Sequence, residues 1–100
     1  LLEWIEASLS QPLTVEQLAD HAAMSPRNFA RLFVKEIGTT PARAVERLRA
    51  QAAQDAIETG STSFEQIARS CGFRDAAQMR RAFVRTLGVP PQAVRRAARR

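Results

Sequence analysis

Residues 14–19 read TVEQLA and residues 63–68 read SFEQIA, the same short message written 49 positions apart. Each opens on a hydroxyl residue, Thr14 or Ser63, with a glutamine three positions later, Gln17 or Gln66. That spacing is a capping box, in which hydroxyl and amide satisfy the unpaired backbone N–H groups of a helix's first turn. Working outward, residues 14–41 (TVEQLADHAAMSPRNFARLFVKEIGTTP) align with residues 63–91 (SFEQIARSCGFRDAAQMRRAFVRTLGVPP). The offset is 49 through the first helix of each copy and 50 by the second, where Phe33 matches Phe83, Gly38 matches Gly88 and Pro41 matches Pro91. One extra residue therefore sits in the turn of the second copy.

Helical periodicity recurs along the chain, and no stretch alternates as a half-buried strand would. The spacing predicts about seven helices and an all-α fold. The first covers roughly residues 1–9, with Leu2, Ile5 and Leu9 on one stripe and Trp4 beside it, and Gln11-Pro12 ends it. The second starts at Thr14. The third starts at Ser25, with Pro26 at the first helical position, where its missing N–H costs nothing. Phe29, Leu32, Phe33 and Ile37 form its inward face, and Gly38 stops it. Thr40-Pro41 opens the longest helix, about 41–58, with Val45, Leu48, Ala52 and Ala56 along one side. The fifth begins at Ser63, the sixth at Asp75 with Met79, Phe83 and Leu87 inward, and the last at Pro90-Pro91. Two helix-turn-helix subdomains, 1–40 and 60–100, joined by a linker helix over 41–59, is the organisation this spells.

A helix-turn-helix reverses direction within three or four residues and needs small residues where its helices cross. Ala19 and Ala68 meet the second need, and Gly72-Phe73 the first. The equivalents in the first copy are Ala23 and Met24. A left-handed alanine costs about 1–2 kcal/mol, so that turn is expected to be built differently.

Composition adds a charge asymmetry. Residues 1–50 carry six basic and six acidic side chains; residues 51–100 carry nine against four, which supplies the whole net charge of +5. Fourteen of the fifteen cations are arginine, whose planar fork suits phosphates and guanine edges. The placement of the cations says more than their number. Arg27, Arg31 and Lys35 follow i, i+4, i+8 on the third helix, and Arg74, Gln78, Arg81 and Arg85 follow i, i+4, i+7, i+11 in the second copy, with Arg80 alongside. A cationic stripe backed by an apolar one is what a helix lying in the major groove of DNA requires. One such helix is usually a solvated face; two, at the second position of a repeated helix-turn-helix, point to nucleic acid. The rival reading is a helical protein-interaction module with a solvated basic face. It leaves the recurrence of the arginines at matching positions unexplained.

Other classes have less support. One histidine, His21, and no Ser–His–Asp spacing, metal-ligand cluster or phosphate loop argue against an enzyme, a metal site or a cofactor. His21 reads as a surface or cap residue, Trp4 as a core or lid aromatic, and Cys71, the single cysteine, as a small core residue in a chain suited to a reducing cytoplasm. No apolar run approaches the roughly 18 residues of a spanning helix, so no membrane partner is expected. The chain begins at Leu1 rather than Met and reads as a piece of something longer. Arg95, Arg96, Arg99 and Arg100 could grip phosphate or form a solvated tail.

Residues 67–95 (IARSCGFRDAAQMRRAFVRTLGVPPQAVR) resemble the signature of AraC-type transcription regulators, and residues 25–53 (SPRNFARLFVKEIGTTPARAVERLRAQAA) resemble its upstream half. The resemblance covers essentially the whole chain. It implies a bipartite seven-helix domain that binds double-stranded promoter DNA and works with RNA polymerase, joined in the full-length protein to an N-terminal sensing or dimerisation domain. It also implies base contacts at Arg27, Ala30 and Arg31 in the first copy and at Ala76, Gln78, Arg80 and Arg81 in the second. Phosphate contacts fall at Ser25, Asn28 and Arg74, with Lys35 and Arg85 on the same stripes. The chain departs from the family pattern at Ala44 and Val94, where aromatics are usual, at Ala23, where a turn glycine is usual, and along the alanine-rich linker at 50, 52, 53 and 56. Looser packing is the expected consequence.

Overall fold

The computed structural model describes residues 1–60 and 62–99, apart from the Leu2 side chain, so the expectations for Leu2's stripe position and for Arg100 lie outside the described residues. Among the described residues seven helices follow in order: α1 Leu2–Ala7, α2 Val15–His21, α3 Pro26–Ile37, α4 Pro41–Thr59, α5 Phe64–Ser70, α6 Ala76–Leu87 and α7 Pro91–Ala98. Among the described residues no strand occurs.

The caps fall where the repeat puts them. Thr14, Ser25, Thr40, Ser63 and Asp75 are N-caps, each with a side-chain oxygen accepting the N–H of the residue three positions on. Thr14 and Gln17 complete a reciprocal box, with the Thr14 N–H donating to Gln17 Oε1 at 2.9 Å. Gly38 and Gly88 end α3 and α6 in matching left-handed conformations.

Two apolar clusters flank α4. Ile5, Leu9, Leu18, Ala19, Phe29, Phe33, Ala44 and Val45 form one. Ala50, Ala53, Ile57, Ile67, Ala68, Cys71, Phe73, Met79, Ala82 and Phe83 form the other. Thus α4 gives its first half to one core and its second half to the other. The predicted stripe on α4 is displaced. Ala44, Val45, Ala50, Ala53 and Ile57 are buried, while Leu48, Ala52 and Ala56 are half-buried at the margins. A helix gripped on two sides in succession cannot keep a single stripe. Of the linker alanines, Ala50 and Ala53 are fully buried, and Ala52 and Ala56 are half-buried.

The inward face of α3 is narrower than predicted. Phe29 and Phe33 are buried, but Leu32 is 43 % and Ile37 47 % exposed. Both lie beside an open apolar groove shared with Leu1, Met24 and Phe29.

The two turns overturn a second expectation. Ala23 has φ +57°, so the alanine is left-handed like Gly72 at φ +94°. The hydrogen bonds match as well: Met24 N–H reaches Ala19 O at 2.9 Å, and Phe73 N–H reaches Ala68 O at 2.8 Å. The first copy accepts the strain of a left-handed alanine rather than a different turn. The residue added in the second copy is Arg74, placed after the shared turn and before the cap at Asp75. Gln78 satisfies its N–H, accepting it on Oε1 at 2.6 Å.

The molecule is elongated, 46 × 22 × 21 Å, with a radius of gyration of 14.4 Å. A compact 100-residue domain would have about 13 Å. The 19 residues of α4 give it a length of about 28 Å at 1.5 Å per residue.

Candidate nucleic-acid interface

α3 and α6 are each the second helix of a helix-turn-helix. Their caps superimpose in sequence at an offset of 50, from Ser25 and Asp75 to Gly38 and Gly88. At that offset Arg31 and Arg81 occupy the same position, as do Lys35 and Arg85, and Asn28 and Gln78.

On α3, Arg27, Arg31, Lys35, Ser25 and Asn28 are exposed, and Ala30 is half-buried. Arg31 Nη2 donates to Asn28 Oδ1 at 3.4 Å, so the guanidinium leans along the helix face. Asn28, Arg31 and Lys35 line one shallow surface with Leu32 and Met24. Leu32 therefore belongs to the cationic face, which the sequence reading missed. The helical spacing 28, 31, 32, 35 was the available signal, and its apolar character masked it.

On α6, Arg80 and Arg81 are exposed, Ala76 and Gln78 half-buried. Arg74 is exposed and lies 3.6 Å from the Asp75 carboxylate. Asp75 is held below the ordinary carboxylate range, chiefly because it accepts the Gln78 N–H, then by the nearby Arg74 and Arg81 charges. Gln78 is half committed, since its carbonyl oxygen holds the Arg74 N–H and its amide N–H₂ is left to act as donor.

Arg85 differs from the other predicted contacts. Its Nε donates to Glu46 Oε1 at 3.0 Å and its Nη2 to Glu46 Oε2, a bidentate pair tying α6 to α4. Glu46 is lowered by the Arg85 hydrogen bonds and charge against a smaller opposing effect of burial. Its counterpart Lys35 is exposed with no ion pair among the described ones.

Arg49 is a second residue that sequence reading passed over. From α4 its Nε donates to Leu9 O at 3.2 Å and its Nη2 to Gln11 O at 2.9 Å, both in the loop after α1. Burial pushes its pKa down, but a guanidinium stays protonated. Gly72 closes the same seam. A Cβ added there would lie 1.8 Å from Leu9 O and 2.5 Å from Arg49 Nε. The turn of the second unit thus rests on the backbone of the first, beside the Arg49 guanidinium that holds Leu9 O and Gln11 O. Trp4 and His21 stack with ring centroids 4.1 Å apart, and Cys71 is buried, its thiol raised by that burial.

Two matched helix-turn-helix units presenting equivalent arginines from one rod define the class: a tandem helix-turn-helix DNA-binding domain. A helix-turn-helix domain family profile matches residues 18–97. An HTH-type transcriptional regulator of Mycobacterium tuberculosis is 45% identical over 83 residues, which are 83% of this chain and 32% of that protein. The HTH-type transcriptional activator RhaS of Escherichia fergusonii is 33% identical over 95 residues, 95% of this chain and 34% of that protein. Among solved structures, the DNA-binding domain of AdpA in complex with a target DNA has a TM-score of 0.92 at 37% identity, covering 98% of this chain and 88% of that one. An AraC-type regulator from Chromobacterium violaceum has a TM-score of 0.89 at 26% identity, over 97% and 87% of the two chains. The chain belongs to the AraC-type family of transcription regulators. It spans about a third of the length of the curated relatives it matches. No described helix is long and apolar enough to cross a membrane.

Proposed function

We propose that this chain binds double-stranded promoter DNA sequence-specifically, with α3 and α6 in adjacent major-groove segments on one side of the duplex. The observation that carries this reading is the equivalence of Arg31 and Arg81 on two recognition helices held by one linker helix. Successive major-groove faces recur about every 34 Å, which a 46 Å molecule with readers on either side of α4 can span. Two different readers on one chain imply an asymmetric site rather than a palindrome.

Arg27, Ala30 and Arg31 read bases in one half-site, and Ala76, Gln78, Arg80 and Arg81 in the other. Leu32, on the cationic face, suits a thymine methyl. Ser25, Asn28, Lys35 and Arg74 hold phosphates. Arg85 serves first as the brace to Glu46, which already satisfies its fork. The units divide as 1–40, 41–59 and 60–100. In the full-length protein, which acts in the cytoplasm, an N-terminal part senses or dimerises, and the promoter-bound domain works with RNA polymerase.

The test is selection of a site from a random duplex pool, followed by binding titrations of Arg31→Ala and Arg81→Ala. Each variant is expected to lose roughly 1–3 kcal/mol and to relax base preference in its own half-site alone. A variant that weakens equally on all sequences would make that arginine a phosphate contact. A pool that yields no enriched site would refute specific DNA binding.

A further inference from the structure

We infer that two exposed arginines, Arg96 on α7 and Arg99 at its C-cap, form a further phosphate-binding face that extends the DNA footprint past the second half-site. This inference rests on the DNA-binding reading above, and it assigns residues that neither recognition helix contains.

Three observations converge on this face. The first is placement. Gln92, Arg95 and Arg96 of α7 and Arg99 at its C-cap follow i, i+3, i+4, i+7 and line one open surface together with Phe64 of α5. The second is order. Arg95 lies over the Phe64 ring, 4.1 Å from its centroid, and its Nη2 donates to Thr62 O. That pair of contacts docks α7 against the start of α5, the first helix of the second unit, and in a helix-turn-helix the first helix crosses the phosphate backbone. The third is charge. From residue 76 to 100 the sequence holds seven arginines and no carboxylate. The described ion pairs, Arg74–Asp75 and Arg85–Glu46, leave Arg95, Arg96 and Arg99 out.

The division of labour follows from these contacts. Arg95 is spent on structure, its stem and fork held between Phe64 and Thr62. Arg96 and Arg99 are exposed and held by nothing described, so their guanidinium groups are available to oxygen acceptors. Phosphates recur along DNA at a spacing that a pair of arginines one helical turn apart can follow, and no base edge is required. These residues would therefore add affinity and salt dependence without adding sequence preference. An acidic protein surface is the other partner such a face could meet, and the experiment separates the two.

The double variant Arg96→Gln/Arg99→Gln is compared with the parent chain by salt titration on two duplexes. One carries about ten further base pairs beyond the second half-site, roughly one helical turn; the other is trimmed at that half-site. Each phosphate contact contributes about 0.9 to the slope of log K against log salt, so the double variant should lower the slope by about 1.8 on the long duplex. The parent would then lose about tenfold more affinity than the variant between 50 and 200 mM salt, by the same relation. On the trimmed duplex the two proteins should behave alike. Identical slopes on the long duplex would overturn the inference and turn the face toward a protein. An equal drop on both duplexes would also overturn it, by placing the contacts inside the core footprint. Both failures leave specific binding by the parent chain intact, so they are distinguishable from failure of the DNA-binding reading. Both side chains are exposed, and an unchanged unfolding midpoint would confirm that the variant is folded.

Discussion

Replacing Gly72 with alanine tests the seam where the second helix-turn-helix unit meets the backbone of the first. Two costs apply. Gly72 has φ +94°, a conformation that costs an L-residue about 1–2 kcal/mol. The new Cβ would also sit 1.8 Å from Leu9 O, closer than any contact between folded atoms, and backbone rather than a flexible tip is in the way. Leu9 must move by more than 1 Å, roughly the shortfall from ordinary van der Waals contact. Its carbonyl then leaves Arg49 Nε, which it now meets at 3.2 Å. A hydrogen bond from a charged donor contributes about 1.5–3 kcal/mol. The expected total is about 2.5–5 kcal/mol. Gly88 provides the control, because it is also left-handed, at φ +79°, with nothing within 4 Å of an added Cβ. Gly88→Ala should cost only the backbone share, and the effect of alanine on the unfolded chain cancels between the two variants. Gly72→Ala should therefore unfold about 1.5–3 kcal/mol more easily than Gly88→Ala in urea titrations with equal m-values. In a domain of this size that is a melting difference of at least about 6 °C. Equal destabilisation by the two variants would refute the seam and with it the fixed geometry between the readers.

Two further outcomes concern the turn of the first unit and the brace of the second. Ala23→Gly should stabilise the chain by up to about 1 kcal/mol, because relief of the left-handed alanine exceeds the added freedom of the unfolded chain; a loss in thermal unfolding would mean that residue 23 is not left-handed. Glu46→Gln should be less stable than the parent at pH 7, with the gap closing as pH falls. The sign follows from Glu46 being lowered by Arg85: its contribution is complete above the ordinary carboxylate value and disappears as pH drops through the lowered one. A gap that persists unchanged at pH 2–3 would contradict the ion pair, and raised salt should narrow it at neutral pH.

The elements were legible in the sequence because each carries its own local signal. Five side-chain caps, glycines closing α3, α4 and α6, and prolines opening α3, α4 and α7 mark boundaries without reference to tertiary structure. The cationic faces were legible for the same reason, since helical spacing alone puts Arg27, Arg31 and Lys35 on one side. What the spacing could not show is how elements meet. Apolar spacing alone places Leu32 and Ile37 inward, yet both are more than two-fifths exposed. Arg85 looked like one more cation on a stripe, and only the fold brings Glu46, 39 positions away, into its fork. Arg49 has no local signature at all, because both its acceptors are backbone carbonyls some 40 residues upstream. The Ala23 turn misled for a different reason. A propensity argument weighs one residue's cost, whereas the fold sets that cost against a complete turn and a buried crossing at Ala19.

The central claim is that α4, Arg49 and Gly72 fix two readers on one face of one duplex. The most direct measurement is the affinity of the parent chain for its selected site before and after five base pairs are inserted between the half-sites. Half a helical turn moves the second half-site to the far side of the DNA. The account expects the duplex with the insertion to bind no better than one carrying a single half-site. Retained full affinity would contradict it, by showing that only one unit docks or that the two units turn freely about the linker.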